Sequence, residues 1–314
     1  MLHEAARSKE HTMYHGIINV YKEPGYTSHD VVARLRGILR QKKIGHTGTL
    51  DPAAEGVLPV CLGAATRLCD MLTDRTKTYR AVMLLGRETD TQDTTGQTLS
   101  EDMPAAMALK PEQVREAVMA FLGDYEQVPP MYSALKVDGK KLCDLARAGK
   151  EVERKPRPVV IHEIEVESIE LPRVTMSVTC SKGTYIRTLC YDIGRSLGCG
   201  GCMEQLTRTR SGRFGVEDSL TLDEIEALAR AGEIEPHVLT VEEVLADYPA
   251  VHAKPEADGL VHNGNPVFKK QLEDPGHPED GEAFRMYDSE GSFLGLYEYR
   301  KDKHWFKPWK MFAL

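Results

Sequence analysis

Three residues of this sequence have the types that an attack on a sugar carbon or a nucleobase requires. Asp51 is a carboxylate set between a leucine and a proline in GHTGTLDPAAEGVLPVCLGAAT, residues 45–66. Arg187, in SKGTYIRT, is a cation able to pair with it and keep it ionised at neutral pH. Tyr79, in KTYRA, offers an aromatic face on which a base could stack. Spacing alone does not show that these residues lie together. Taken one at a time, Asp51 fits a turn, Tyr79 fits a packed core and Arg187 fits a surface equally well.

The elements that must position these residues follow the periodicities of strands and helices. Strands are predicted at GIINVYK, TYRAVMLL, VVIHEIEVESIEL and VTMSVTC, the second of which carries Tyr79. Helices are predicted after a cap at Thr27 or Ser28, over 111–122, around Arg187 as far as Leu197, and at the capping boxes that begin at Thr221 and Thr240. The stretch 45–66 is predicted to be a loop, whose glycines let a ligand approach the main chain closely.

Composition excludes several classes of protein. The 314 residues are 41% hydrophobic and 28% charged, as in an ordinary globular protein long enough for two domains. No apolar run approaches the roughly 18–20 residues of a membrane span, and the N-terminus lacks a signal-peptide core, so we expect a cytoplasmic protein. Seven scattered cysteines suit reduced thiols. Cys199 and Cys202 form a CxxC without a second CxxC or a nearby histidine, so we expect no metal site and assign this pair no role.

Charge is distributed unevenly along the chain, whose formal net charge is -8. Residues 136–157 contain eight Lys or Arg against four acids, and residues 182–213 contain six against two. Residues 216–247, by contrast, contain ten acids and one arginine. A polyanion could therefore meet a basic face on an acidic protein, although solvated surfaces of either sign would produce the same pattern.

The ends of the chain and one internal segment differ from the rest. Residues 1–12 precede Met13 and have the character of a dispensable leader. Residues 127–158 are rich in proline, glycine and lysine, which predicts a long, mobile, basic arm. Pro249 marks the predicted domain boundary. The tail beyond it alternates with the strand period and ends in KHWFKPWKMF, whose tryptophans and lysines suit looped RNA or, alternatively, the core of a small β-barrel.

The longer motifs resemble those of the bacterial tRNA pseudouridine synthase B (TruB) family. GHTGTLDPAAEGVLPVCLGAAT is similar to the family's catalytic motif, and KTYRAVMLLGRETDTQDTTG to its K-x-Y strand and TDT-x-D-x-x-G loop. PPMYSALKVDGKKLCDLARAG resembles its mobile thumb and SKGTYIRTL its arginine motif. The match runs in order from about Gly16 to Phe214. KEPG departs from the usual K-P-x-G by moving the proline one place, which touches no catalytic position.

The resemblance implies an α+β pseudouridine synthase fold with a mixed, mainly antiparallel sheet. The catalytic domain would occupy residues 13–248, with the thumb at about 127–158, and a small PUA-like RNA-binding β-barrel would occupy 249–314. It also implies site residues. Asp51 would be the catalytic aspartate, Arg187 its salt-bridge partner and Tyr79 the aromatic that stacks on the target base. The positions that line the pocket or steady the flipped nucleotide correspond to His46, Tyr185 and Leu206.

The implied activity is the isomerisation of uridine to pseudouridine at position 55 in the T-loop of tRNA. The base would be flipped out, and Asp51 would be needed to break and re-form the glycosidic bond by a path that the sequence leaves open. Since nothing is oxidised or transferred, we expect no cofactor and no metal. We expect a monomer that needs neither guide RNA nor an obligate protein partner. The alternatives are an inactive RNA chaperone, a guide-RNA-dependent relative, and a glycoside hydrolase using Asp51 and Glu55.

Overall fold

Two sheets, one of ten strands and one of six, organise the computed structural model, which describes residues 13–312. The leader predicted over 1–12 lies outside the described residues. The helices are α1 (Ser28–Ile38), α2 (Cys69–Thr73), α3 (Met103–Met107), α4 (Pro111–Met119), α5 (Leu142–Arg147), α6 (Ile186–Ser196), α7 (Leu222–Ala231), α8 (Val241–Val244) and α9 (Asp258–His262). None of the helices in 13–312 has the length and apolarity that crossing a bilayer requires.

The strands are, in chain order, β1 (Gly16–Lys22), β2 (Ile44–His46), β3 (Glu55–Leu62), β4 (Lys77–Leu85), β5 (Arg87–Thr89), β6 (Thr98–Glu101), β7 (Gly123–Gln127), β8 (Lys136–Val137), β9 (Lys140–Lys141), β10 (Arg157–Glu170), β11 (Arg173–Cys180), β12 (Gly201–Ser211), β13 (Phe214–Gly215), β14 (Val238–Thr240), β15 (Ala250–Ala253), β16 (Val267–Phe268), β17 (Leu272–Glu273), β18 (Ala283–Tyr287), β19 (Phe293–Arg300) and β20 (Trp305–Met311).

The ten-stranded sheet has the order β14-β1-β3-β12-β4-β11-β10-β7, with β2 on β3 and β13 on β12. Its pairs are antiparallel except for a short parallel contact between β3 and β12. The predicted α+β fold with a mixed, mainly antiparallel sheet is therefore confirmed. Helix α6 packs its apolar face on β12 and β4, while α1 and α7 cover a second apolar cluster on β1 and β3.

Two central strands, β3 and β12, were not predicted. The loop expected over 45–66 contains the end of β2 and all of β3, and β3 is buried along almost its whole length, so its sequence does not alternate between apolar and polar residues. Pro59 also argues against a central strand in the sequence, because proline cannot donate to the ladder. In the structure the Pro59 carbonyl still accepts a hydrogen bond from the Thr47 N–H at 3.1 Å. In β12, register shifts near Met203 and Arg208 interrupt the strand period. The prediction of a loop over all of 45–66 was therefore wrong.

The predicted helices occur where their caps and faces indicate. Thr27 caps α1, and the capping boxes of Thr221 and Thr240 begin α7 and α8. Helix α4 ends at Met119, earlier than predicted, because the chain must turn before Gly123, which begins β7 at a φ of 97°. Within the predicted arm the chain forms the β8–β9 hairpin and α5, and β10 begins before its end.

The six-stranded sheet, of order β16-β20-β19-β18-β15-β17, is barrel-like and lies entirely beyond Pro249. Its core contains Phe284, Tyr297 and Phe306. Trp305 is half-buried at the edge of this core, and Trp309 is 46% exposed. A separate apolar cluster joins the two sheets, with Ile17 and Val57 from one side and Leu296 and Phe312 from the other.

Candidate active site

Asp51 stands on a turn between β2 and β3. The buried Leu50 precedes it and donates its N–H to Ser28 Oγ at 2.9 Å, while the Asp51 carbonyl accepts from the Ala54 N–H at 3.1 Å. The Asp51 side chain is 39% exposed. The main chain of the turn is thus fixed while the carboxylate stays open to solvent.

Arg187 lies in the first turn of α6 and is almost completely buried. Its Nε is 2.8 Å from Asp51 Oδ2. Its two terminal nitrogens donate to main-chain carbonyls, at 2.9 Å to Thr91 and at 2.8 Å to Tyr132. The guanidinium is therefore held from three directions, and it faces Asp51 in a fixed orientation.

A second carboxylate, Asp93, completes this arrangement. Its Oδ2 lies 3.8 Å from Arg187 Nε, and its side chain is 13% exposed. Its Oδ1 accepts hydrogen bonds from Thr91 Oγ1 at 2.8 Å and from the Thr95 N–H at 3.0 Å. Asp93 is not among the site residues that the sequence predicted. The available signal was the Thr-x-Asp-x-Thr pattern in TDTQDTTG, which is typical of turns closed by side chains.

Tyr79 lies on β4, half-buried against the main apolar cluster, directly opposite Arg208 on β12. Burial raises the pKa of the Tyr79 phenol, the Arg208 guanidinium opposes this shift, and the Asp51 carboxylate adds to it. The Asp51 carboxylate is thus near enough to Tyr79 to affect the pKa of the phenol.

The three other predicted site residues lie on elements next to this group. Tyr185 occupies the N-cap position of α6 without a side-chain capping hydrogen bond; its N–H donates to Gln127 Oε1 at 2.7 Å, and burial raises the pKa of its phenol. Leu206 is buried on β12 in the same apolar cluster as Tyr79. His46 ends β2, where its Nδ1 accepts from the Gly48 N–H at 3.3 Å and its ring meets His29 edge-on. Burial, with His29, lowers the pKa of His46.

Two buried cations behind the site were missed from the sequence. Lys22, at the end of β1, donates to the carbonyls of Pro52 and Ala54, and burial lowers its pKa to about 8. Arg208 donates to the carbonyls of Val57 and Gly48 at 2.7 and 3.3 Å. Both anchor the turn that carries Asp51. Their signal is weak, since each looks like an ordinary strand cation in the sequence.

The Asp51 carboxylate is open to the surface, and two cavities of the molecule lie away from it. A cleft of about 650 Å³ lies between Arg67 and Trp309, and a cavity of about 240 Å³ lies near Arg75. Asp51 lines neither of them. Cys199 and Cys202 are buried free thiols in and beside β12.

Two family models match consecutive parts of the chain. Residues 36–186 match the TruB family pseudouridylate synthase N-terminal domain, and residues 187–246 match the tRNA pseudouridylate synthase B C-terminal domain. The chain belongs to the TruB family. Among the relatives of this TruB-family chain is a "tRNA pseudouridine synthase B" of Lachnoclostridium phytofermentans, 49% identical over 95% of this chain and 99% of the relative. One of the same name from Alkaliphilus oremlandii is 45% identical over 92% and 94%.

Solved structures agree with the TruB-family assignment. A Cbf5-Nop10-Gar1 complex contains a chain that superimposes with a TM-score of 0.70 at 28% identity, covering 95% of this chain and 85% of that one. An H/ACA RNP bound to a substrate RNA containing 2'-deoxyuridine gives a TM-score of 0.70 at 26% identity with the same coverage.

Proposed function

We propose that this protein isomerises uridine to pseudouridine at position 55 in the T-loop of tRNA, without guide RNA. The observation that carries the proposal is the ion pair between the open carboxylate of Asp51 and the buried guanidinium of Arg187. The relatives named tRNA pseudouridine synthase B, which match nearly the whole chain, support the substrate class.

The chemistry follows from the charge arrangement. Uridine must lose its N1–C1' bond, turn, and rejoin the sugar through C5. Asp51 acts as the nucleophile at the sugar or the base, or as the base that removes a sugar proton. Arg187 holds the carboxylate in one orientation at the start of each of these paths, because its own position is fixed by two carbonyls. Tyr79 is the candidate acceptor for the proton that leaves C5.

The target uridine must leave its stack to reach Asp51, at a cost of a few kcal/mol. Stacking on Tyr79, worth roughly 1–3 kcal/mol per base, offsets much of that cost. The apolar side chain of Leu206 and the ring of Tyr185 complete the walls, and His46 steadies the opened loop.

We further assign the parts of the chain. Residues 13–248 form the catalytic domain, residues 127–158 the arm that closes on RNA, and residues 249–314 the PUA-like RNA-binding domain. The protein acts in the cytoplasm as a monomer, without the protein partners named with the Cbf5 structures. Light scattering of the purified chain, alone and with tRNA, tests the monomer.

The activity itself is tested with tRNA whose uridines carry tritium at C5. Purified protein is expected to release one tritium per tRNA and to leave pseudouridine at position 55. Binding without tritium release would instead favour an RNA chaperone. Activity that appears only on adding a guide RNA would favour the guide-dependent alternative.

A further inference from the structure

Arg208 is the largest of the fully buried side chains, at 1% exposure. Its hydrogen bonds go to the neutral carbonyls of Val57 and Gly48. Burying a charge costs free energy unless the charge is paired and hydrogen-bonded. Because the carbonyls are neutral, the guanidinium keeps its positive charge and can stabilise negative charge on a neighbouring group.

The register of the sheet points to Tyr79. Arg208 on β12 is directly opposite Tyr79 on β4, so the two side chains project from the same face as cross-strand neighbours. The positive charge of Arg208 opposes the rise that burial causes in the pKa of the Tyr79 phenol. Through Gly48, Arg208 also holds the loop that leads to Asp51. One side chain therefore connects the strand of Tyr79 to the turn of Asp51.

The other charges near this pair do not replace Arg208. The positive charge of Arg208 disfavours the protonated forms of three neighbouring groups, Lys22, Lys77 and His46. Asp51 and Cys180 disfavour a negative Tyr79 oxygen. Arg208 is thus the cation that offsets part of the effect of burial, which disfavours a phenolate at this position.

We propose that Arg208 is a positioning residue that fixes the side chain of Tyr79 and stabilises its phenolate, which takes the C5 proton of the flipped base once the base has rejoined the sugar through C5. The phenol first loses its proton to solvent. The C5–H bond then breaks, the proton passes to the phenolate, and the electron pair restores the C5–C6 double bond. N1 of the product gains a proton from water, so the proton count is restored. This inference rests on the proposed function.

The test compares Arg208→Met and Arg208→Lys with Arg210→Met, an exposed arginine of the same strand. Single-turnover rates are measured at saturating protein with tRNA that carries protium or deuterium at C5 of the target uridine. We expect Arg208→Met to slow the reaction about 100-fold and to raise the isotope effect, because C5 proton removal becomes the slowest step. Arg208→Lys, which keeps a charge without the fork, should lie between it and the wild type. Arg210→Met should match the wild type.

The outcomes separate the two proposals. An inactive wild type would refute the proposed function. An active wild type with an Arg208→Met variant of full rate, or of reduced rate with an unchanged isotope effect, would refute only the role of Arg208. If Arg208→Met does not fold, as judged by its thermal transition, Arg208→Lys decides, and an isotope effect equal to that of the wild type overturns the inference.

Discussion

Nε of Arg187 lies 2.8 Å from Oδ2 of Asp51, and the two members of this ion pair differ sharply in exposure, at 5% and 39%. The buried cation is fixed, whereas the carboxylate remains accessible from the surface. Such an asymmetric pair keeps a charged group in place without closing it off from a ligand, as a nucleophile or a base requires.

Asp51→Asn should abolish pseudouridine formation. The amide has nearly the same shape, so the turn should persist, but it carries no charge and is a poor base and nucleophile. We expect a loss of at least about 10³-fold in single-turnover rate, with tRNA affinity within a few-fold of wild type. Tritium release and filter binding measure the two quantities. Asp74→Asn, at an exposed acid paired with Lys182, is the control and should be fully active.

Arg187→Lys should reduce both activity and stability. A lysine cannot reach Asp51 and also satisfy the carbonyls of Thr91 and Tyr132. Leaving buried carbonyls unpaired should lower the free energy of unfolding by about 2–4 kcal/mol, measured by urea denaturation. Arg173→Lys, at an exposed pair with Glu204, should cost less than about 1 kcal/mol. Equal losses in both variants would contradict this role of Arg187.

Lys22 should make stability depend on pH in the alkaline range. Its pKa is about 8 in the folded protein against an ordinary value of 10.5, so between these values the unfolded chain binds more protons and stability rises with pH. Below pH 8 Lys22 is protonated in both the folded and the unfolded state, and the folded state carries the full free-energy cost of the buried charge. The unfolding free energy of wild type minus that of Lys22→Met should therefore rise through this window, by up to about 3 kcal/mol. Lys42→Met, at an exposed site, should show no such trend.

Gly56→Ala should be far more damaging than Gly25→Ala, although both glycines have positive φ, 102° and 91°. At Gly56 a Cβ would lie 2.3 Å from the carbonyl oxygen of Arg208, where β3 and β12 run side by side. At Gly25 it would meet nothing within 4 Å. We expect about 1 kcal/mol for Gly25→Ala and more than about 3 kcal/mol for Gly56→Ala, read from thermal unfolding. Similar values would mean that the strands can separate without cost.

The β8–β9 hairpin should contribute to the salt dependence of tRNA binding. Its lysines are exposed and belong to the basic segment 136–157. Replacing Lys136, Lys140 and Lys141 by glutamine should lower the slope of log affinity against log salt by about 2 if they contact phosphates. Arg230→Gln, on the acidic segment, should leave it unchanged. An unaltered slope in the triple variant would remove the hairpin from the RNA-binding surface.

Sequence reasoning succeeded where a local rule has one structural solution. The capping boxes of Thr221 and Thr240 and the alternation in β18 and β19 each specify an element without reference to the rest of the chain. The strand β3 was missed, because a strand that is buried along almost its whole length and contains a proline shows neither an alternation of apolar and polar residues nor the usual strand propensities.

The site divides along the same line. Residue type and motif resemblance selected Asp51, Arg187 and Tyr79 as candidate site residues, while spacing could not show that they lie together. Lys22, Asp93 and Arg208 were missed because their importance arises from burial and from carbonyls that the fold brings to them. These partner groups lie far away along the chain, so no local sequence pattern predicts the contacts.

The apolar cluster shared by the two sheets has a consequence for substrate choice. Ile17 and Val57 pack in one cluster with Leu296 and Phe312, so the tail keeps a constant separation from the Asp51 turn. On the proposed function, an RNA that contacts both the Asp51 turn and the tail must span that interval. Under that proposal the cluster adds a requirement of length to the choice of substrate.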